Sequence, residues 1–296
     1  MEVENKGNGL TAIIQQEHKK EVDSNLEELT LSGRDIILIW EGEFQESFGK
    51  VKTLQLIKDE YTNTPIQILH KFNSLENLVL KVSSYKEIFS FEKDEKYVGA
   101  LSKLKVLKLE GLFNLKCIWK QDFQLHSILQ NLDSLEVNHC HNLTTMLPSL
   151  ASFENLRTLR ISYCNGMQNL MSSSTAKSLV NLKVLSIEGC EMMIEVIANE
   201  GDIEKGEIVF EKLMELELYR SESLKCFCFG DYTLKFPFLE TLQVGKCFKM
   251  KTFCGGGLSM PRLNLLNHEH YLESEIDMII PLLQNDCSNF CERIGW

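Results

Sequence analysis

Cysteines and histidines are the residue types of this chain most able to bind a metal ion or to act as nucleophiles. The 296 residues include 10 cysteines and 7 histidines. Cys226 and Cys228 form a C-x-C pair, and His139-Cys140-His141 places two imidazoles beside one thiol. A structural zinc site needs about four ligands, and neither cluster has a second pair at ligand spacing nearby. The sequence therefore predicts no metal site at either cluster.

Sequence motifs of catalysis and of phosphate binding are also absent. The chain contains no G-x-S-x-G, no H-E-x-x-H and no G-x-x-x-x-G-K-S/T. The glycine run Gly255-Gly256-Gly257 is not followed by a lysine, so it is not expected to hold a phosphate. The carboxylates are scattered, with no nucleophile and base at a spacing typical of an active site. We therefore expect a protein that is not an enzyme and that binds no cofactor.

Several cysteines recur at one position of a repeated pattern, and this pattern defines the elements that position them. Leu132, Leu135, Val137 and Cys140 stand at offsets 0, 3, 5 and 8, and the segment from Leu156 repeats these offsets 24 residues later. This is the L-x-x-L-x-L-x-x-C/N pattern of a leucine-rich repeat. The two apolar residues of L-x-L lie two apart, so both face one side of a short strand, and the residues between and beside them face solvent.

Nine such repeats follow one another along the chain. Their first core positions are 24 to 31 residues apart, namely Leu26, Val51, Leu75, Leu104, Leu132, Leu156, Leu182, Leu213 and Leu239. Charged inserts at Phe91–Gly99 and Asn199–Glu207 occupy two of the longer intervals and are expected to leave on loops away from the sheet. The pattern predicts an α/β fold, a leucine-rich repeat solenoid with a curved parallel sheet on the concave side and irregular loops and short helices on the convex side.

The convex layer has its own apolar signal. From the third repeat onward, an aromatic residue or a leucine stands three residues before the first core position, namely Phe72, Leu101, Leu129, Phe153, Leu179, Phe210 and Phe236. These side chains are expected to fill the convex layer of the core. A ligand-binding role for them is not indicated.

The repeat pattern divides the chain into three parts. Residues 1–23 are a polar N-terminal flank, residues 24–258 hold about nine repeats, and residues 259–296 form a C-terminal cap and tail. In the tail, Leu272, Ile276, Ile279 and Ile280 fit one face of a helix that Pro281 should end or kink. Such a helix would cover the open end of the core.

Charge and apolar content restrict the partners and the compartment. The formal net charge is −11, which argues against a general nucleic-acid or anionic-membrane binder. No stretch approaches 18 consecutive apolar residues, so no membrane span is predicted. The N-terminus lacks the apolar core of a signal peptide. The recurrent cysteines should pack as small apolar side chains and stay reduced, which predicts a cytoplasmic location.

The repeats resemble the C-terminal region of plant intracellular immune receptors of the coiled-coil, nucleotide-binding, leucine-rich repeat class (CC-NB-LRR, or NLR). The shared features are the irregular spacing, the recurrent cysteine in HCHNL, YCNGM, GCEMM and KCFKM, and the phrase KFPFLETLQVGKCFKMKTF. The resemblance covers residues 24–260. It implies a role in plant defence and innate immunity, in which the repeat region of a disease resistance protein binds a pathogen effector or a guarded host protein and restrains the receptor switch.

The resemblance leaves the surrounding architecture open. Receptors of this class contain a glycine-rich phosphate loop in a nucleotide-binding module, and this sequence has no such motif. The chain is expected to be either a fragment of a receptor or a short product that keeps the sensor half. The alternative is a free-standing adaptor or decoy without a nucleotide switch. The partner implied is an effector, a host guardee, or the nucleotide-binding module of the parent receptor.

The outward side chains of the predicted sheet are the expected protein-binding surface. Arginine and tyrosine are frequent anchors of protein interfaces, which favours Arg160, Tyr163, Tyr219 and Arg220. Arg160 is expected mid-strand, and the other three at the ends of strands. Acidic residues on neighbouring strands could instead pair with the arginines, an interaction worth about 0–1 kcal/mol at a surface.

Overall fold

A computed structural model describes residues 26–40, 48–60, 66–89, 101–119, 130–147, 152–198 and 206–263. Three short helices lie in this part of the chain, namely α1 (Arg34–Trp40), α2 (Ile66–Leu69) and α3 (Ser173–Ser178). Its strands are β1 (Glu28–Ser32), β2 (Thr53–Ile57), β3 (Asn77–Lys81), β4 (Glu87–Phe89), β5 (Val106–Glu110), β6 (Cys117–Trp119), β7 (Ser134–Asn138), β8 (Thr158–Ser162), β9 (Met171–Ser172), β10 (Val184–Glu188), β11 (Glu195–Ala198), β12 (Glu207–Val209), β13 (Glu215–Tyr219), β14 (Cys226–Cys228), β15 (Thr233–Lys235), β16 (Thr241–Gly245) and β17 (Leu258–Ser259).

The main sheet has nine strands, all parallel, with one strand from each predicted repeat. Their order is β1-β2-β3-β5-β7-β8-β10-β13-β16, so each strand pairs with the strands of the preceding and following repeats. The register never shifts: Leu159 pairs with Leu135 on one side and with Leu185 on the other. The prediction of a leucine-rich repeat solenoid with about nine parallel strands is confirmed.

Buried and exposed side chains alternate along each concave strand because of its L-x-L sequence. In β8, Leu159 and Ile161 are fully buried, whereas Arg160 between them is exposed. Side chains two apart in a strand point to the same face, so one face of every strand joins a single apolar core. Burying one such side chain stabilises the fold by about 1.5–3 kcal/mol, and two per strand hold each repeat to its neighbours.

The residue after each concave strand adopts the left-handed backbone conformation. These residues, called the exit row from here on, have φ between 50° and 65° and are Gly33, Lys58, Val82, Gly111, His139, Tyr163, Gly189, Arg220 and Lys246. The turn is stabilised across repeats: the N–H of Tyr163 donates to the carbonyl of Glu188 at 2.8 Å, and that of Arg220 donates to Gly245 at 3.0 Å. These bonds hold side chains other than glycine in a conformation that costs about 1–2 kcal/mol per residue.

The recurrent cysteines occupy the position after the exit row. Buried thiol or hydroxyl groups at this position donate to the carbonyl two residues earlier at 2.8 to 3.6 Å, as seen for Ser83, Cys140, Cys164, Cys190, Ser221 and Cys247. Each satisfies a carbonyl at the end of a strand, which explains why small donors recur there. Burial raises the pKa of Cys190 to about 12 and that of Cys247 to about 11, so both thiols keep their protons.

The convex side contains the predicted apolar layer and more strands than expected. All the predicted convex residues that the structure describes are fully buried, namely Phe72, Leu101, Phe153, Leu179, Phe210 and Phe236. Short parallel strands also form the sheets β9-β11-β14, β12-β15-β17 and β4-β6 there. They arise because equivalent convex segments of neighbouring repeats stack on one another, which brings their backbones within hydrogen-bonding distance.

Some of the sequence predictions concern residues outside the described part of the chain. These are the N-terminal flank, Leu129, the insert Phe91–Gly99, residues 199–205 of the second insert, and the C-terminal helix that includes Leu272 and Pro281. They stay predictions.

Candidate protein-interaction surface

The outward side chains of the concave sheet form straight columns because the strands share one register. The central column is formed by the middle residue of each strand. In it, Lys108 of β5 contacts Glu136 of β7 at 3.0 Å, and Ser186 of β10 donates to Glu217 of β13 at 2.7 Å. Arg160 of β8 lies between these two pairs and is exposed. Among the described residues, no carboxylate lies within 4.0 Å of its guanidinium. Arg160 therefore has donors available for a partner at the centre of the face.

The residues that precede the concave strands form ion pairs along most of the sheet. This start column consists of Glu27, Lys52, Glu76, Lys105, Asp133, Arg157, Lys183, Met214 and Glu240, and acidic and basic residues alternate in it from Glu27 to Arg157. Its ion pairs are Lys52–Glu27 at 3.0 Å, Lys105–Glu76 at 2.8 Å and Arg157–Asp133 at 3.2 Å. The hydrogen bond from Lys105 lowers the pKa of Glu76. The charges of this edge are thus largely neutralised within the chain.

At the exit row, a stack of aromatic rings takes the place of ion pairs. His139 and Tyr163 belong to the row, and His141 and Phe113 lie two residues beyond it. The His139 ring stacks on Tyr163 with centroids 4.8 Å apart, and it meets His141 edge-on at 5.8 Å. His141 in turn stacks on Phe113 at 6.0 Å. Phe113 is 52 % exposed although it is a large apolar side chain. The Phe113 ring therefore leaves apolar surface open to solvent beside Gly111 of the exit row.

Tyr163 links this stack to the charged part of the row. Its ring lies directly over Gly189, where a Cβ atom would come within 2.5 Å of the ring. Its hydroxyl donates to Oε1 of Glu188 at 2.9 Å, and Nη1 of Arg220 lies 4.0 Å from the same oxygen. A hydrogen bond to Tyr163, with smaller effects from Tyr219 and Glu188, raises the pKa of Arg220. The absence of a side chain at position 189 is what allows this arrangement.

Two cations lie against one tyrosine ring at the end of the row. The Cζ atom of Arg220 is 5.3 Å from the centroid of the Tyr219 ring, and Nζ of Lys246 is 5.4 Å from it. Within the described residues, Lys246 forms no ion pair with a carboxylate. Phe248, two residues further on, is 66 % exposed. This end of the surface thus combines unneutralised positive charge with an exposed aromatic ring.

The structure brings three of the four predicted binding residues together. Tyr163, Tyr219 and Arg220 lie at the strand ends, with Tyr163 and Arg220 at the equivalent exit-row position and Tyr219 one residue before it. Arg160 belongs to the central column of the same face. Sequence reasoning missed His139 and Lys246, although both stand at the same offset after the L-x-L motif as Tyr163 and Arg220. Comparing that offset between repeats would have found them.

Metal and membrane features were searched in the described residues only. There, no three or more His, Cys, Asp or Glu side chains are grouped so that they could hold a metal ion. No helix in that same part of the chain is long and apolar enough to cross a membrane.

The repeats place the chain in a known class of interaction modules. Residues 25–152 and 148–254 match the family model described as "Plant disease resistance protein RPS2-like, leucine-rich repeats". The chain belongs to this family of leucine-rich repeats. Leucine-rich repeat families are generally protein-interaction modules, and this chain is a leucine-rich repeat interaction module. Of the resemblance predicted from the sequence, the leucine-rich repeat part is confirmed.

Comparisons with individual proteins gave more distant likenesses. Over 100 residues the chain is 35% identical to "Putative adenylate cyclase regulatory protein" of Trypanosoma equiperdum, covering 34% of this chain and 15% of that protein. The leucine-rich repeat domain of the type III effector XopL is similar with a TM-score of 0.35 and 15% identity, covering 81% of this chain and 70% of the other. The plant peptide hormone receptor RGFR1 in complex with RGF2 gives a TM-score of 0.23 at 15% identity, covering 79% and 52%.

Proposed function

We propose that this chain is the protein-recognition module of an intracellular plant immune receptor. In this role it binds a pathogen effector or a guarded host protein in the cytoplasm and restrains the nucleotide-dependent switch of the receptor. The family match supports the proposal, because the family is described by plant disease resistance proteins. The single observation that carries it is the concave face of the nine-stranded sheet, where Arg160 has no carboxylate partner among the described residues.

The geometry suits recognition of another protein surface. The sheet holds the backbone of the outward side chains at regular spacing, so little backbone conformational entropy is lost when a partner docks. Arg160 can offer its planar guanidinium to a carboxylate in two parallel hydrogen bonds. Because its neighbours Glu136 and Ser186 are already engaged in other pairs, this interaction replaces water rather than an internal ion pair.

The test is a binding measurement on a partner that is identified first. The chain is immobilised, proteins retained from infected plant tissue are identified, and each is purified and titrated by calorimetry against the wild type. Arg160→Ala should weaken binding by about 2 kcal/mol or more, roughly 30-fold, with an unchanged melting temperature. The matched control is Arg157→Ala, because this exposed arginine of the same repeat is already paired with Asp133.

Two results would contradict parts of the proposal. If no effector or host defence protein binds the purified chain, the recognition role is wrong. If a partner binds but Arg160→Ala, Tyr163→Ala and Arg220→Ala all leave its affinity unchanged, the binding site lies elsewhere, with the charged inserts at Phe91–Gly99 and Asn199–Glu207 the next candidates.

A further inference from the structure

We propose that the exit row from Gly111 to Lys246, together with Phe113 and Phe248 two residues beyond these positions, docks an extended acidic segment of a protein partner. A carboxylate of that segment is held between Arg220 and Lys246. The inference rests on the proposed function as a protein-recognition module and adds the chemistry of what is recognised. The partner segment would present carboxylates to the cations of the row and apolar side chains to the two exposed phenylalanines.

Unlike the exit row, the start column pairs most of its charges within the chain. From Glu27 to Arg157, acidic and basic residues alternate and pair at 2.8 to 3.2 Å. At the exit row, the last two positions are both cations: Arg220 has one long contact of 4.0 Å with Glu188, and Lys246 forms no ion pair within the described residues. Positive charge at this end of the row is therefore available for an external anion.

Two cations of neighbouring repeats, Arg220 and Lys246, lie against the same tyrosine ring. Arg220 and Lys246 both lie about 5 Å from the centroid of Tyr219, where the ring attracts positive charge. The contact holds two like charges in neighbouring repeats, and their mutual repulsion is unfavourable. A carboxylate between them would remove this repulsion, and both groups would donate charge-assisted hydrogen bonds to it.

Exposed phenylalanines mark the two ends of this surface. Phe113 and Phe248 stand at equivalent positions of repeats that are five strands apart, and they are 52 % and 66 % exposed. Five strand spacings amount to roughly 24 Å, which about seven residues of extended chain would cover. The two rings give such a segment two apolar anchors, and the stack of His139 on Tyr163 covers two of the four repeats between them.

The net charge of −11 does not oppose this docking. At physiological ionic strength, interactions between exposed charges fall off beyond about 8 Å, so the cations of the row dominate the field that a bound segment experiences. Among the described residues, Glu188 forms an ion pair with Arg220 of the row at 4.0 Å, and it already accepts a hydrogen bond from the Tyr163 hydroxyl.

The experiment uses a defined probe, a fluorescein-labelled peptide of alternating glutamate and phenylalanine residues. Its counterpart carries glutamine in place of every glutamate. By fluorescence anisotropy, the wild-type chain should bind the glutamate peptide at least about tenfold more tightly than the glutamine peptide. The double variant Arg220→Gln/Lys246→Gln should lose that difference.

The matched control is Lys105→Gln/Arg157→Gln, which changes the net charge equally but at the start column, where both residues are already paired. It should keep the preference for the glutamate peptide. Equal binding of the two peptides to the wild type, or equal loss in both double variants, would overturn the proposal. Tighter binding of a labelled oligonucleotide than of the glutamate peptide would overturn the choice of partner.

A partner found by capture from plant tissue separates the two proposals. If that partner binds the wild type and Arg220→Gln/Lys246→Gln equally, the docking surface proposed here is wrong while the recognition function stands. If it binds the wild type at least about tenfold more tightly than this variant and the start-column control binds like the wild type, both proposals are supported.

Discussion

Gly189 and Tyr163 illustrate how single residues shape the candidate surface. The two occupy the same position in neighbouring repeats, and both have the left-handed backbone conformation. Tyr163 uses the space that the glycine leaves empty, and in this way its hydroxyl reaches Glu188. The glycine is therefore needed both for its backbone conformation and for the room it gives to the neighbouring ring.

Substituting alanine at two glycines should separate these contributions. At Gly33, a Cβ atom would meet no described atom within 4 Å, so Gly33→Ala should cost only the left-handed strain, about 1–2 kcal/mol. Gly189→Ala should cost more, because its Cβ atom would collide with the Tyr163 ring. In Tyr163→Ala/Gly189→Ala the additional cost should disappear. Urea unfolding of the four proteins measures this, and equal losses for both glycines would show that the ring does not depend on Gly189.

The raised pKa of the buried cysteines that follow the exit row predicts that the protein loses stability at alkaline pH. The folded pKa of Cys247 is about 11, above the value of about 8.5 for an unfolded cysteine. Between about pH 8.5 and 11 the folded thiol thus keeps a proton that the unfolded thiol loses. Its contribution to the unfolding free energy is therefore complete below about pH 8.5 and is lost as the pH rises toward 11. Cys247→Ser should reduce the fall of the unfolding free energy over this range.

The serine variant should remain folded at neutral pH, because Ser221 occupies the equivalent turn position and donates to its own carbonyl at 3.3 Å. Denaturant unfolding at a series of pH values gives the slope for both proteins. Identical slopes would mean that the thiol of Cys247 does not change its pKa on folding.

At the level of strands, the concave sheet was predictable and the contacts along its edge were not. The L-x-L motif has the period of a strand, and stacking requires the same register in every repeat, so the nine strands follow from local pattern. The stack of His139 on Tyr163 and the two cations on Tyr219 depend on which side chains meet across separate repeats. The convex strands were missed for a similar reason, because the pairing of β11 with β14 depends on how two coils stack.

The middle of the array should be sensitive to a single apolar truncation. Leu159 is fully buried in β8 between two further strands, so Leu159→Ala should lower the unfolding free energy by about 2–5 kcal/mol through lost burial and a cavity. Leu159→Asp should be worse, because the charge would be buried without a partner. The exposed neighbour provides the control, since Arg160→Ala should leave the melting temperature unchanged. A Leu159→Asp protein that melts like the wild type would contradict the register.

The described part of the chain has one continuous core between two unlike edges. The start column is largely neutralised by its own ion pairs, and the exit row holds aromatic rings and cations. The buried thiols belong to the core. Every cysteine in the described part of the chain is free of disulfide bonds.

The turn thiols should therefore react slowly in the native protein and together when it unfolds. Cys140, Cys164, Cys190 and Cys247 are fully buried, so an alkylating reagent should modify them only after the repeats open. Mass spectrometry of protein labelled with and without denaturant measures this. A Cys140–Cys164 or Cys190–Cys247 bridge in protein taken from cytosol would contradict the prediction that these thiols are reduced in the cell.

Because the register of the concave sheet is unbroken, the number of repeats between two equivalent side chains fixes the distance between them. Any two equivalent side chains on the exit row are separated by a whole number of strand spacings, each roughly 4.8 Å. Unequal recombination that adds or removes one repeat between Phe113 and Phe248 would change their separation by one such step. The remaining turns and buried pairs would keep their geometry, because each repeat contacts only its neighbours. A gene of this kind could adjust the spacing of its recognition groups by copy number, without any change of fold.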